Sequence, residues 1–166
     1  MSSTRRPSRF RELCNALNDT LTPALRAAGY APPAEPFNRS TVRYEFKRAA
    51  DSGIQTIAVL FNRARAPEFS LQVFVEPPQG LAAVEAAGGT LVVGTVSPAR
   101  SAWPAAVATF SLDASLLDRL LGRPARSPQQ VVDAALALLP EIEGWWRDPG
   151  PTAHILTSTL RYPGRA

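Results

Sequence analysis

The stretch 42-VRYEFK-47 decides the fold class, because apolar and polar residues alternate along it without a break. In an extended chain, Val42, Tyr44 and Phe46 lie on one side and the charged residues between them lie on the other. Asp51-Ser52-Gly53 then supplies a tight turn, and residues 54–63 form the second strand. Both sides of that second strand are apolar, which predicts a hairpin whose second strand is central in a sheet.

Further strands follow the hairpin along the chain. Residues 69–75 alternate again and end at Pro77-Pro78, and residues 90–96 and 106–112 have the composition of strands. Residues 154–162 fit either a last strand or a packed tail. Because the links between the first three strands are short, the pattern favours an antiparallel meander.

Helical spacing flanks the strands at both ends of the chain. Residues 8–28 place Phe10 and four leucines at steps of three and then four positions, and we expect Pro23 to kink or restart this helix with Thr22 as the cap. Near the other end, Ser127-Pro128-Gln129-Gln130 predicts a helix start with a capping box, and Pro140 interrupts the helix that follows. Shorter helices are predicted over residues 81–87 and 113–121.

Together these elements predict one α+β domain over residues 10–166, preceded by a basic, flexible arm over residues 1–9. An antiparallel sheet of about four to six strands is expected to carry the N-terminal and C-terminal helices on one face. The opposite face of the sheet is expected to meet water.

The N-terminal half resembles the bacterial family called domain of unknown function 4304 at several short motifs. Gly29-Tyr30 matches the family's helix end, Phe37-Asn38-Arg39 its first strand start, Ile54-Gln55 its second strand, and Phe69-Ser70-Leu71-Gln72-Val73 its third. Phe61-Asn62-Arg63 departs from the family's Phe-Gln-Lys in a chemically similar way. The resemblance covers roughly residues 10–76. It implies a fold and no mechanism, because the family has no established activity.

The positive charge of the chain is concentrated at its N-terminus. The sequence has 18 basic and 14 acidic residues, and residues 1–11 hold four arginines and no acid. The remainder is therefore neutral, unlike a nucleic-acid-binding domain that spreads its cations over a face. Nucleic acid is a predicted partner only through the N-terminal arm, and a solvated tail is the alternative.

The sequence favours a cytoplasmic protein with no membrane partner. Its one cysteine, Cys14, leaves no intramolecular disulfide and fits a reducing compartment. No apolar run reaches the ~18–20 residues of a membrane span. Arg5-Arg6 lacks the apolar stretch that an export signal needs after it.

Residues that could carry catalysis or hold a metal are sparse. His154 is the only histidine, whereas Ser-His-Asp and Cys-His sites both need a histidine beside the nucleophile. A zinc site needs several Cys and His ligands, and Glu141 and Glu143 diverge on a helix. We therefore predict no catalytic residue, no metal site and no cofactor, with Cys14 as a buried structural thiol.

The polar side of the first strand is the first candidate interaction surface. Arg39, Arg43 and Lys47 share that side, and Arg63 is expected nearby across the hairpin. Arginine is favoured at protein interfaces. The alternative is that these alternating charges only keep an exposed strand soluble and protect a sheet edge.

Trp145 is the second candidate, because it falls on the flank of the apolar stripe that continues through Trp146 and is expected to be partly exposed. The predicted function is a non-catalytic binding or interaction module of a bacterial cytoplasmic protein, with an unknown protein partner. An immunity-type inhibitor of a toxin is one concrete form. The alternative is a small hydrolase or nucleic-acid-modifying enzyme with a site built from arginine and carboxylate groups.

Overall fold

A computed structural model describes residues 8–64, 66–98, 109–113, 120–122 and 124–163 of the chain. The helices are α1 (Arg9–Ala16), α2 (Thr22–Ala27), α3 (Leu81–Ala87), α4 (Pro128–Leu136) and α5 (Leu139–Trp145). The strands are β1 (Arg43–Ala50), β2 (Gly53–Leu60), β3 (Glu68–Glu76), β4 (Gly89–Val96), β5 (Phe110–Ser111) and β6 (Ile155–Tyr162). These elements confirm the predicted α+β class.

The strands form one antiparallel sheet in the order β1-β2-β3-β4-β6, and β5 pairs with the first residues of β3. The predicted meander is confirmed, since Tyr44 pairs with Val59 and Val59 pairs with Leu71. Of the two alternatives for the C-terminal segment, the structure has the strand: β6 pairs with β4 along its whole length. Within the described residues, β1 and β6 are therefore the two edges of the sheet.

The N-terminal helix continues past Pro23 through a π-helical turn instead of a capped restart. This turn spans Leu17–Leu21, and the N–H of Thr22 donates to the carbonyl of Leu17. Thr22 has helical dihedral angles, so the prediction that it caps a restarted helix is wrong. Pro23 lies in the first turn of α2, where the missing N–H of a proline costs least. Gly29 follows α2 with a positive φ of 89°, as its predicted role at the helix end requires.

The N-terminal and C-terminal helices pack on one face of the sheet, as predicted. The main hydrophobic core lies between that face and the helices, and Leu13, Phe46, Val73, Val132 and Trp145 are among its buried members. The predicted capping box of α4 is present, with the hydroxyl of Ser127 accepting from the N–H of Gln130. Pro140 lies in the first turn of α5, where it separates the two C-terminal helices.

The opposite face of the sheet, called the outer face below, carries a second, smaller core. Ala58, Phe74, Leu91 and Val93 form a buried cluster there, and Leu81 of α3 packs against it. The expectation that this face meets water is therefore wrong for the central strands. Exposed side chains lie toward its margins instead, on β1 and on β6.

Some sequence predictions fall at or beyond the limits of the described residues. Ser8 caps α1 and Arg9 lies within it, so this helix begins inside the stretch predicted as an arm, of which residues 1–7 lie outside the described residues. The predicted helix over 113–121 falls mostly on residues 114–119, which also lie outside, as do residues 106–108 of the predicted strand. Among the described helices, each is too short or too polar to cross a membrane.

Candidate binding sites

The charged residues of β1 point to the outer face and bind one another. Arg43 Nε lies 2.7 Å from Glu45 Oε1, and Lys47 Nζ lies 3.0 Å from Glu45 Oε2 and 2.8 Å from Glu76 Oε1. Glu76 lies at the end of β3, and its side chain is only 7% exposed. We call these four residues the outer ion-pair cluster. Its two cations and two carboxylates cancel in charge, so it is a poor site for a polyanion.

The electrostatics of this cluster favour the charged form of its members. Burial alone would raise the pKa of Glu45, but hydrogen bonds and charges from Lys47 and Arg43 outweigh burial and lower it. Burial alone would lower the pKa of Lys47, and its contacts with Glu76 and Glu45 outweigh this and raise it. The guanidinium of Arg43 also lies 5.4 Å from the ring centre of Phe74, which links the cluster to the small outer core.

Arg39 and Arg63 lie outside the strands in which the sequence analysis placed them, the first strand for Arg39 and the second for Arg63. β1 begins at Arg43, so Arg39 is in the loop before it, and Arg63 is in the turn after β2. Both side chains are exposed. Strand alternation therefore does not place Arg39 beside Arg43 and Lys47. Of the predicted surface, the structure brings together only Arg43 and Lys47.

Trp145 is buried, so the prediction that it is partly exposed is wrong. Its side chain is 1% exposed, and its indole Nε1 donates to the hydroxyl of Thr157 on β6 over 3.0 Å. Gly94 makes room for the ring on the sheet, because a Cβ atom there would lie 3.2 Å from the indole and 2.7 Å from Val73 and Ile155. Trp146 is buried too, and the two indole rings meet edge to face at 5.3 Å.

A half-buried polar cluster joins the helices to the face of the sheet that they cover. The guanidinium of Arg48 donates to Glu143 Oε2 over 2.7 Å, to Gln55 Oε1 and to the carbonyl of Ala28. The hydroxyl of Tyr30 donates to Glu143 Oε1 over 2.9 Å. The guanidinium also stacks 4.3 Å above the Tyr30 ring centre. The members of this inner polar cluster are Tyr30, Arg48, Gln55, Glu143 and Trp146.

The inner polar cluster is arranged for stability. Trp146 Nε1 donates to the Tyr30 hydroxyl over 2.8 Å, so that hydroxyl both donates and accepts. Burial raises the pKa of Tyr30 well above its usual range, and Glu143 raises it further. The hydrogen bond to Glu143 raises the pKa of Arg48. The cluster therefore keeps a neutral phenol and an ion pair at neutral pH, which connects α2, β1, β2 and α5.

An apolar groove lies where β3 ends and β4 begins, and we call it the tryptophan groove. It has a volume of about 640 Å³. Its walls come from the sheet, α3 and the end of α5, through Ser52, Val75, Pro77, Gln79, Ala83, Val84, Ala87, Gly88, Gly89, Thr90, Leu91, Val92, Trp145, Trp146 and Pro149. No ionisable side chain occurs among these described lining residues. Trp145 thus borders a candidate site as a buried residue and not as an exposed anchor.

A second cleft of about 560 Å³ lies beside β1. The proline-rich segment over residues 31–35 forms one wall, and this segment is tied to β1 by reciprocal backbone hydrogen bonds between Ala31 and Lys47. Arg43, Glu45 and Lys47 form the other wall. These three side chains already bind one another, and the exposed Glu35 adds a further carboxylate to the cleft.

The lone histidine also has a partner. His154 Nδ1 lies 2.8 Å from Glu141 Oε2, and the hydroxyl of Thr152 donates to the other oxygen of the same carboxylate. Burial opposes ionisation of Glu141, but bonds from Thr152 and His154 outweigh it and lower the pKa. The hydroxyl thus bonds to the carboxylate and not to the imidazole, whereas a Ser-His-Asp site sets the histidine between hydroxyl and carboxylate. Glu141 and Glu143 diverge, as predicted, toward His154 and Arg48 respectively.

Two further sequence predictions concern sulfur and metal. Cys14 is 4% exposed, which confirms the predicted buried thiol. Among the described residues, no three His, Cys, Asp or Glu side chains come together as a metal-binding group would require.

No family model matches the chain, and comparisons with curated proteins and with solved structures give no match. The resemblance to the domain of unknown function 4304 family therefore stays a prediction that rests on the motifs quoted above.

Proposed function

We propose that this chain is a non-catalytic binding module whose tryptophan groove takes an apolar segment of a protein partner. The observation that carries this proposal is the character of the groove lining. Val75, Val84 and Val92 supply accessible apolar surface, while Trp145 and Trp146 lie buried behind it. No acid, base or nucleophilic thiol stands among the lining residues. A groove of this size and polarity fits the general description of a binding site.

The polar groups of the groove suit a peptide better than a charged ligand. Ser52, Gln79 and Thr90 line it as uncharged hydrogen-bonding side chains. Such groups match the N–H and C=O of a peptide backbone, while the apolar walls take its side chains. An immunity-type inhibitor of a toxin remains one concrete form of this proposal.

One wall of the groove is built so that it can adjust to a ligand. None of the α3 side chains is buried, although Ala83 and Val84 line the groove. Gly80 and Gly88 flank the helix with positive φ angles of 83° and 74°. Because few buried contacts hold α3, a small rotation of this helix widens or narrows the groove at low cost.

The alternative, an enzyme with an arginine and carboxylate site, would have to use the cleft beside β1 or the inner polar cluster. In both places the arginine is bonded to a carboxylate, Arg43 to Glu45 and Arg48 to Glu143. A substrate would have to break those ion pairs before it met either group. The paired state of these groups is the reason to prefer the binding function.

The test is selection of binders followed by a matched pair of groove variants. A random peptide library displayed on phage is panned against the purified chain, and one selected peptide is titrated by calorimetry. Ala83→Arg places a long cation in the groove, whereas Ala82→Arg puts the same side chain on the exposed face of α3. We expect selected peptides rich in Leu, Phe and Trp, and a loss of affinity of about tenfold or more for Ala83→Arg alone.

Two outcomes would contradict the proposal. One is a selection that yields no peptide above background. The other is a selected peptide whose affinity is the same for the Ala83→Arg and Ala82→Arg variants. Circular dichroism of both variants checks that a loss of affinity does not come from loss of the fold.

A further inference from the structure

We infer that two copies of this chain pair through β6, edge to edge and antiparallel, about a two-fold axis beside Ser158. β6 is an edge strand of the described sheet, with β4 on one side. Leu156 and Leu160 are 44% and 46% exposed on its outer side, and the residues from Ser158 to Arg161 are all exposed. An exposed edge with apolar side chains favours pairing with another strand.

The backbone of β6 has hydrogen-bonding groups that face away from β4. Ile155 uses both its N–H and its C=O for Thr152, at 3.1 and 2.9 Å, while the C=O of His154 accepts from Ser97 at the end of β4. Backbone groups alternate along an antiparallel strand. The N–H and C=O of Thr157, Thr159 and Arg161 are therefore directed to the free edge.

The sequence of β6 is self-complementary across a two-fold axis. Residues 156–160 read Leu-Thr-Ser-Thr-Leu, the same in both directions. Side chains that face each other across antiparallel strands lie on the same face, so the axis between two identical strands passes beside a single residue. With Ser158 at the axis, Leu156 faces Leu160 of the second copy, and Thr157 faces Thr159.

This register satisfies the contacts that the edge offers. Thr157 and Thr159 of the second copy exchange both backbone hydrogen bonds, and the two-fold axis repeats the exchange. Pairs of threonines and pairs of apolar residues stabilise neighbouring strands. Thr152 already occupies the edge at Ile155, so the pairing runs from Leu156 to Leu160 and leaves the backbone groups of Arg161 outside it. The occupant of this edge is therefore a second copy of the chain.

The dimer would form one continuous sheet from the two copies, with equivalent faces on the same side. A two-fold axis normal to the sheet keeps the helices of both copies on one face and the outer faces on the other. The tryptophan groove lies at the start of β4 and not on the β6 edge, so dimer formation and ligand binding in the groove are separable. The dimer does not rest on the proposed function.

Disulfide trapping tests the axis directly. The one native cysteine, Cys14, is buried and leaves the background low. In Ser158→Cys the two new thiols face each other across the axis at a separation that a disulfide can bridge. In the control, Leu160→Cys, each new thiol faces position 156 of the other copy and lies far from its equivalent. We expect oxidation to link the first variant at least roughly tenfold faster than the control.

A charge exchange tests the register independently. Leu156→Glu and Leu160→Lys each weaken the dimer by roughly tenfold or more in sedimentation velocity, since each places a charge against a leucine. The double variant recovers the dimer, because the new carboxylate at position 156 faces the new ammonium at position 160 of the other copy. A native chain that stays monomeric at the highest soluble concentration overturns the inference. So does equal trapping of the two cysteine variants, or a double variant as weak as the singles.

Discussion

The two faces of the sheet use buried polar groups in different ways. On the helix-covered face, Arg48 of β1 reaches Glu143 on α5 and the carbonyl of Ala28 after α2, so the polar contacts join separate elements. On the outer face, Lys47, the preceding residue, reaches Glu45 on its own strand and Glu76 on β3. Two adjacent residues of β1 therefore belong to different clusters: Arg48 to the inner polar cluster, which holds helices on the sheet, and Lys47 to the outer ion-pair cluster, which joins strands within it.

The comparison predicts where substitutions cost most. The helix-covered face has a large continuous core, whereas the cluster on the outer face has four buried apolar side chains among the described residues. Neutralised charges lie at the margin of that face. Polar groups that join distant elements lose their partners when one member is removed. On the outer face, Arg43, Glu45 and Lys47 are exposed enough to rehydrate when a partner is removed. Glu76, at 7% exposure, is not.

The largest expected effect on stability comes from removing an aromatic side chain from one or the other apolar core. Trp145 and Phe74 are 1% and 2% exposed, on the helix-covered and outer faces respectively. Trp145→Ala is expected to lower the free energy of unfolding by about 5 kcal/mol, and Phe74→Ala by about 3 kcal/mol, because the smaller cluster can collapse around the gap. Urea denaturation of both variants measures the difference. An equal or larger loss for Phe74→Ala would mean that the outer cluster contributes as much to the free energy of unfolding as the main core does.

An intermediate effect on stability is expected when one hydroxyl is removed from the inner polar cluster. Tyr30→Phe leaves buried Trp146 Nε1 without its acceptor and Glu143 without one donor. We expect a loss of about 1–3 kcal/mol in the free energy of unfolding. Tyr162→Phe, at the far end of β6 and outside this cluster, is the matched control and should change stability by less than about 0.5 kcal/mol. Equal losses for the two variants would show that the cluster adds nothing specific.

The sequence predicted the strands well because their signal is local. Alternation in β1 and β3, the turn at Asp51-Ser52-Gly53 and the capping box at Ser127 each lie within a few residues, and all are confirmed. The prediction that the outer face meets water was wrong, because Leu81, Leu91 and Val93, which lie later in the chain, pack with Phe74 there.

The candidate site was less predictable, because its contacts join residues that are far apart in sequence. Trp145 was expected at the surface, and its burial depends on the space above Gly94, 51 positions earlier. Arg48 was missed altogether, since its partner Glu143 is 95 positions away. Only its place on the apolar side of β1, beside Phe46, could have marked it as an arginine that needs a buried partner.

The smallest expected effect is the pH dependence of the outer ion-pair cluster. The pKa of Glu45 is lower in the folded chain than its ordinary value of 4.5, so the folded state binds its proton less readily than the unfolded state. The resulting stability is complete above that ordinary value and is lost as the pH falls through the lower, folded value. Both chains lose free energy of unfolding between neutral pH and about pH 3, and we expect the loss to be smaller for Glu45→Gln than for the native chain. The difference between the two losses should be less than about 1 kcal/mol, because the Glu45 side chain is 26% exposed. Urea midpoints at both pH values measure this, with Glu141→Gln as the comparison on the helix side. If Glu45→Gln shows the same acid sensitivity as the native chain, Arg43 and Lys47 contribute nothing to folding through Glu45, and the outer cluster would serve solubility alone.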